Sequence, residues 1–251
     1  MTIRRLLWDI ETSPNVGYFW QPGYKVFISP ENIIRERAII CICYKWEDER
    51  DVQYLTWDKG DDKKLIESFA EIIKEADELV AHNGDRFDLK WYNGRHLIHG
   101  LDPIPQSKTI DTLKIAKKYF RLNSNKLDYI SNLILGEGKI DVPFSLWDRV
   151  MDNEKSALDE MVRYCKKDVL LLERVYERLA AYDTPKTHAG VMMGRPRWTC
   201  KHCGAEEVST SKTRVSSAGI ETKQMLCSEC HKYYTIAYNV WRDYLTAKEE
   251  E

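Results

Sequence analysis

Between Ser156 and Tyr182 the chain places apolar side chains at Leu158, Met161, Val162, Cys165, Val169, Leu172, Val175, Tyr176 and Leu179. Intervals of three and four put these on one stripe of a helix about seven turns long. Such a stripe requires a broad apolar partner, and the segments able to supply it lie upstream. Ile3–Ile10, Ala38–Trp46, Val52–Trp57 and Glu78–Asn83 read as short strands. Helical periodicity runs over Asp61–Ala76 and Phe87–His99, with Gly100 at the expected C-cap and Pro103 beyond it. Ile110 closes a strand or opens a helix before Leu113–Tyr119, and Lys126–Leu135 adds another short helix. Thr12–Arg37, rich in Pro, Gly and aromatics, is expected to be a long loop with a short helix after Ser29-Pro30. Strands first, then strands alternating with helices, predict an α/β fold, a mixed sheet flanked by helices.

A change of composition follows. Asp183–Arg197 contains Pro185, Gly190, Gly194 and Pro196 and is expected to be a linker. The expected organisation is a domain over 1–182, a linker over 183–197, and a small module with a C-terminal tail over 198–251, frayed from Lys248 onward. No apolar run approaches the roughly 18–20 residues that span a bilayer. The opening run Met1–Trp8 meets Asp9 too soon for a signal peptide, so a soluble intracellular protein is expected, cytoplasmic or virally encoded and acting in the host cell. The formal charge of −2 decides nothing about a nucleic-acid partner, because an acidic metal site offsets basic grooves elsewhere.

The module is framed by Cys200-x-x-Cys203 and Cys227-x-x-Cys230. Two such turns supply four soft ligands, which suits one tetrahedral structural zinc with no open position for chemistry. His202 and His231 are spare imidazoles. Arg195, Arg197, Lys212, Arg214, Lys223 and Tyr233 surround the cysteines. That mixture fits a grip on nucleic acid, and equally a packing module that closes off the domain. Cys41, Cys43 and Cys165 fall in apolar segments and read as core.

Three further signals concern carboxylates. Asp9-x-Glu11 ends an apolar strand, and alternate strand residues share a face, so both acids can meet one cation. Asn83-x-x-x-Phe87-Asp88 follows a strand and opens a helix. Tyr164 and Asp168 project from one face of the long helix, where Asp168 adjoins the apolar stripe. Taken singly, these are also what a polar strand end, a turn and a helix-surface charge look like. Asp111 is a possible outer carboxylate, and His82 reads as structural. Lys114, Lys117, Lys118 and Arg121 suit phosphate contacts or a solvated helix face.

In order and spacing the three signals resemble the motifs of the DEDD exonuclease superfamily, with the tyrosine of its DEDDy branch, which includes polymerase proofreading domains. The similarity extends to Thr109–Leu113 and Lys126–Asp128 and spans about residues 3–180. It implies a ribonuclease H-like fold and a 3′→5′ exonuclease using two Mg²⁺ or Mn²⁺ ions. By this resemblance Asp9 bridges the ions, Glu11 and Asp168 complete one site, Asp88 serves the other, and Tyr164 orients the attacking water. Ile10, Thr12, Asn83 and Phe87 are the expected substrate contacts, with a core role for Phe87 and a turn-capping role for Asn83 as alternatives.

DNA with a single-stranded or frayed 3′ end is the expected substrate, and RNA the nearest rival. A replication or repair protein is a possible partner. The sequence has no room for a polymerase domain, so any proofreading would act in trans. A nucleic-acid-binding protein with a dead nuclease fold would predict loss of a ligand, yet all four carboxylates and the tyrosine are present. A structure-selective endonuclease is a third reading.

Overall fold

The computed structural model describes residues 3–23, 26 and 28–250. These group into two compact units, Arg4–Leu179 and the region from Ala180 onward. Among the described residues no helix is long and apolar enough to cross a membrane.

The first unit is built on a five-stranded sheet. Its strands are β1 (Arg5–Thr12), β4 (Ile39–Trp46), β5 (Gln53–Thr56), β6 (Glu78–Ala81) and β7 (Lys108–Asp111), in the order β5-β4-β1-β6-β7. β4 runs antiparallel to β1 and β5, while β6 runs parallel to β1 and β7, so the sheet is mixed as expected. The alternation of β1 divides its residues between two faces. Leu6, Trp8 and Ile10 enter a core with α1 (Lys63–Lys74) and α2 (Asp88–Ile98), where Trp8 stacks on Phe69 at 5.2 Å and Tyr92 stands edge-on to both. On the opposite face, Asp9 meets Cys165 of α6 (Lys155–Leu179), and Cys43 and Lys45 of β4 reach Val162 and Glu173 of that helix. The stripe read from the sequence is therefore the face that α6 lays on β1 and β4. Each fully buried large side chain there contributes about 1.5–3 kcal/mol.

One buried charge cluster ties the other layer together. Asp62, fully buried just before α1, accepts two hydrogen bonds from Arg95 at 2.8 and 2.7 Å and the Ile39 N–H at 2.9 Å, and pairs with His99 Nε2 at 2.7 Å. Around the sheet lie α3 (Thr112–Tyr119), α4 (Leu127–Leu135) and α5 (Ser145–Met151). Gly100 caps α2 with a φ of 65°, the left-handed geometry a glycine adopts without strain.

The structure also amends the sequence reading. Within Thr12–Arg37, β2 (Val16–Gly17) pairs with β3 (Ile33–Arg35) ahead of which Pro30–Asn32 makes the expected single helical turn. Tyr24, Lys25 and Phe27 lie outside the described residues, as do Met1, Thr2 and Glu251. The segment expected to be a linker is partly folded. Ala189–Met192 forms α7, the Ala189 N–H donates to the Lys201 carbonyl, and Arg195 donates to the Gly204 carbonyl at 2.7 Å. The second unit continues as an antiparallel sheet of β8 (Val208–Val215), β9 (Glu221–Cys227) and β10 (Tyr233–Ala237), then α8 (Tyr238–Glu249). Lys248 and Glu249, expected in a frayed tail, belong to that helix, which closes over the sheet through Val240, Trp241 and Tyr244.

Candidate active site

Asp9 and Glu11 alternate on the α6 face of β1, and Asp168 rises from α6 beneath them. Carboxylate oxygens of these three lie within 4.8 Å of one another. Asp88 stands outside that trio, in the first turn of α2, but is joined to it: its Oδ1 accepts the Ile10 N–H at 3.2 Å. The Ile10 side chain itself packs into the core, so only its backbone faces the site. Thus Ile10 holds Asp88 in place through its backbone N–H.

The turn that delivers Asp88 is sterically fixed. Asn83 adopts a φ of 66°, its N–H donates to Asp111 Oδ1 at 2.9 Å, and its carbonyl accepts the N–H groups of Arg86 and Phe87. A Cβ on Gly84 would approach Ala81 Cβ to 2.4 Å, too close for any side chain. Asp111 also caps α3 through the N–H groups of Leu113 and Lys114, which makes it a brace for the Asn83 turn. His82 bridges Thr112 Oγ1 and the Asn125 carbonyl, both at 2.9 Å, in keeping with a structural role. Phe87 packs half-buried against the core, while Asp85 pairs with Lys114 at 2.5 Å.

Four acids gathered this way resist ionisation. Burial, then the neighbouring Cys165, Asp88, Asp168 and Glu11, push the Asp9 pKa well above the usual range, although Asp9 keeps some solvent contact. Glu11 is raised well above its ordinary value, first by burial and then by Cys165 and Asp168. Burial lifts Asp88 to about 7. Asp168 is raised by burial too, though Lys139 opposes the shift. Without a cation, the cluster is a set of reluctant anions, the signature of a site organised to neutralise them with positive charge.

Lys139 is the residue that the sequence reading missed. Its ammonium pairs with Asp168 Oδ2 and sits 5.6 Å from the centre of the Tyr164 ring. Burial alone would lower its pKa, but Asp168 and Asp9 more than offset this and the net shift is upward, so it stays charged. Among the described residues, buried Asp168 Oδ1 has no hydrogen-bond partner. An orphaned carboxylate oxygen among hard oxygen donors fits Mg²⁺ or Mn²⁺. Tyr164 lies one turn before Asp168, and its pKa is raised by burial and by Asp168, so the phenol remains neutral. Beside Lys139 opens a groove of about 640 Å³, walled by His82, Asn83, Lys117, Asn125 and Lys126. Lys117 is the member of the basic segment that lines it.

In the second unit, the four cysteine sulfurs lie within 4.8 Å of one another, with Cys200–Cys230 and Cys203–Cys227 both 3.6 Å apart. Zinc–sulfur bonds of about 2.3 Å imply tetrahedral edges of about 3.8 Å, close to these separations and far from a disulfide's. Gly204, at φ 79°, closes the first knuckle, where a Cβ would strike Met193 Sδ at 2.6 Å. The cluster could hold a metal ion. Cys41, Cys43 and Cys165 are fully buried in the first unit, as expected of core residues.

A search of curated protein sequences finds no match. Solved structures similar to the chain include the family B DNA polymerase from the hyperthermophilic archaeon Pyrobaculum calidifontis, with a TM-score of 0.56 and 19% identity. That likeness covers 71% of this chain and 25% of the polymerase, so the chain spans about a quarter of its length, and at this identity it speaks to fold alone. Residues 35–180, more than half of the sequence, match the family described as the RNase_H superfamily. With a mixed sheet of the ribonuclease H type and acids gathered at its centre, the chain belongs to the RNase H superfamily.

Proposed function

We infer that this chain is a divalent-metal-dependent 3′→5′ exonuclease of the DEDDy branch. It would hydrolyse the terminal phosphodiester of single-stranded or frayed DNA and release nucleoside 5′-monophosphates. The observation that carries this reading is the convergence of Asp9, Glu11 and Asp168 within 4.8 Å, from motifs spaced as in that branch. Asp88, buried and tied to Ile10, supplies the fourth acid. Superfamily membership supports a nuclease acting on nucleic acid.

The roles follow from the environments. Asp9, Glu11 and Asp168 would hold one ion, with Asp9 shared and Asp88 serving a second. Bound there, Mg²⁺ or Mn²⁺ supplies charge stabilisation at phosphorus and a more acidic water. Tyr164, a neutral phenol, orients water by hydrogen bonding and does not take its proton. Lys139 keeps a fixed positive charge beside Asp168 and is suited to an anionic phosphate. Asn83 and Lys126 line the groove through which a strand would run, and Thr12 and Phe87 flank the acids in sequence. On this reading the nuclease domain ends near residue 180, and the segment beyond is a module folded around one structural zinc held by Cys200, Cys203, Cys227 and Cys230. A replication or repair protein is the partner class that suits such an activity. DNA is preferred here on the resemblance alone, with RNA as the second substrate to try.

The test is degradation of a 5′-labelled single-stranded DNA with Mg²⁺ or Mn²⁺ by wild type, Asp9→Ala and Asp168→Asn. A ladder shortening from the 3′ end, lost in both variants, is expected. A folded wild type that cleaves neither DNA nor RNA would overturn the reading and leave a binding protein on a nuclease fold.

A further inference from the structure

The two faces of the β8–β10 sheet differ in their chemistry. One is covered by α8: Met225, Tyr234 and Ile236 are buried there with Val240, and the Trp241 indole N–H donates to Thr210 Oγ1 at 2.9 Å. Lys223, which the sequence groups with the other basic residues around the cysteines, belongs to this covered face. It is buried, pairs with Glu221 at 2.7 Å, donates to Thr213 at 2.8 Å and lies 4.1 Å from the centre of the Trp241 ring. Its charge is satisfied inside the module. Thr213 points at Lys223, so Lys212 and Arg214 on either side of it point to the opposite face. Register places Lys212 beside Gln224, Arg214 beside Thr222 and Tyr233 beside Leu226, so these six share that face. It is open: Lys212 and Arg214 are exposed, and Tyr233 is 55% exposed. Neither Lys212 nor Arg214 has an ion pair among the described residues. Glu221 is the acid that the three strands contain, and it lies on the covered face.

We propose that this open face binds single-stranded nucleic acid, with phosphates on Lys212 and Arg214 and a base stacked on Tyr233. Surfaces of ordinary domains intersperse both signs of charge, whereas the strands here present cations alone on one face and a neutralised pair on the other. The charge complements a phosphate backbone. An apolar protein surface would bury two unpaired cations, at high cost. An acidic peptide would satisfy the cations and leave the exposed ring of Tyr233 unmatched. A single strand offers phosphates and flat base faces together, and duplex hides the latter in its stack. Phosphates and base faces are common to DNA and RNA, so both belong to the class. The inference concerns the second unit alone and stands whether or not the first is an exonuclease.

The experiment follows the anisotropy of labelled oligothymidylate and oligouridylate on the full, zinc-replete chain across a NaCl series, without added Mg²⁺ or Mn²⁺. Each phosphate contact to a single strand contributes about 0.7 to the slope of log affinity against log salt, so Lys212→Ala with Arg214→Ala should flatten it by about 1.4. Lys63→Ala with Lys64→Ala removes the same charge from an exposed part of α1 and should leave the slope as in wild type. Tyr233→Ala should weaken single-strand binding about 5- to 100-fold at an unchanged slope, and Tyr233→Phe should stay within about twofold of wild type. Binding of a closed duplex should be insensitive to Tyr233→Ala. A slope unmoved by the Lys212 and Arg214 changes, in protein that still carries one zinc per chain, would overturn the proposal. Equal flattening by the α1 pair would overturn it too, since general charge and not this face would then be responsible. If the slope is unmoved and Tyr233→Ala instead converts a wild-type dimer to monomer in sedimentation, the face joins two copies of the chain and the proposal fails.

Discussion

The ammonium of Lys139 pairs with Asp168 Oδ2, while the other oxygen of that carboxylate is buried with no hydrogen-bond partner among the described residues. One half of Asp168 is thus neutralised by the protein and the other half is kept for something else. Lys139→Met separates these functions. Removing one partner of a buried ion pair destabilises by roughly 3–5 kcal/mol, and less here because Lys139 is partly exposed. Its loss also removes a positive charge that repels incoming cations. The expected result is a lower melting temperature without divalent ions, a tighter apparent Kd for Mn²⁺, and a larger stabilisation by Mn²⁺ than in wild type. Thermal unfolding across a Mn²⁺ titration measures all three.

Proton linkage gives a second prediction. Burial raises the Asp88 pKa to about 7, and Asp9 and Glu11 are raised as well, so without divalent ions the folded state holds protons that the unfolded state has released. Between about pH 4 and 7 the folded state therefore binds more protons, and stability falls as pH rises through that window. Divalent ions displace those protons and reverse the trend. Zinc-replete protein should melt lower at pH 7.5 than at pH 5.5 without Mg²⁺, and the gap should narrow or invert with it. Calorimetry in two buffers of different ionisation enthalpy should register proton release on metal binding. A melting temperature independent of pH in the absence of Mg²⁺ would contradict the prediction.

How far the sequence announced this arrangement depends on the reach of each signal. Asp168, alone indistinguishable from a helix-surface charge, was legible only in combination with Tyr164 one turn earlier and the two upstream acidic motifs. Asp9 and Glu11 were legible because alternation on a strand fixes a shared face. Lys139 sits in the irregular stretch after α4, where no period governs side-chain direction, so only the folded chain shows it reaching Asp168 across 29 residues. α5 went unread for a similar reason, because its seven residues are too few to establish a period. α8 did carry a signal, with Val240, Trp241 and Tyr244 at helical spacing, but the cysteine framework led the sequence reading to assign the segment only to a small module with a C-terminal tail.

The cysteine cluster predicts a metal-dependent module. Chelation strong enough to extract zinc, or the Cys203→Ser and Cys227→Ser changes, should melt β8 to β10 and α8, because Trp198, Met225, Tyr234 and Val240 pack around the cysteines in one small core. The Trp198 and Trp241 fluorescence should report this loss, and metal analysis should give one zinc per chain in the wild type. The unit spanning Arg4–Leu179 has its own core, so its thermal transition should persist after zinc removal. A single transition that disappears with the metal would show that the two units fold as one.

The strongest purely structural test concerns Asp62. Burial opposes its charge, but hydrogen bonds from Arg95, Ile39 and His99 outweigh that and hold its pKa below the ordinary value. A depressed carboxylate stabilises the fold above its unfolded pKa of about 4 and stops doing so as pH falls through its lower folded value. Asp62→Ala leaves the Arg95 guanidinium buried without its partner, at an expected cost of about 3–5 kcal/mol at neutral pH. Arg95→Met strands the carboxylate instead, with a similar cost. Because both changes break one network, the double variant should lose clearly less than the sum of the singles. Urea unfolding at pH 7 gives the three values. Repeating it near pH 3 should shrink the penalty of Asp62→Ala, because the wild-type carboxylate is then losing its charge. Additive losses, or a penalty unchanged in acid, would mean that Asp62 acts through packing and not through its charge.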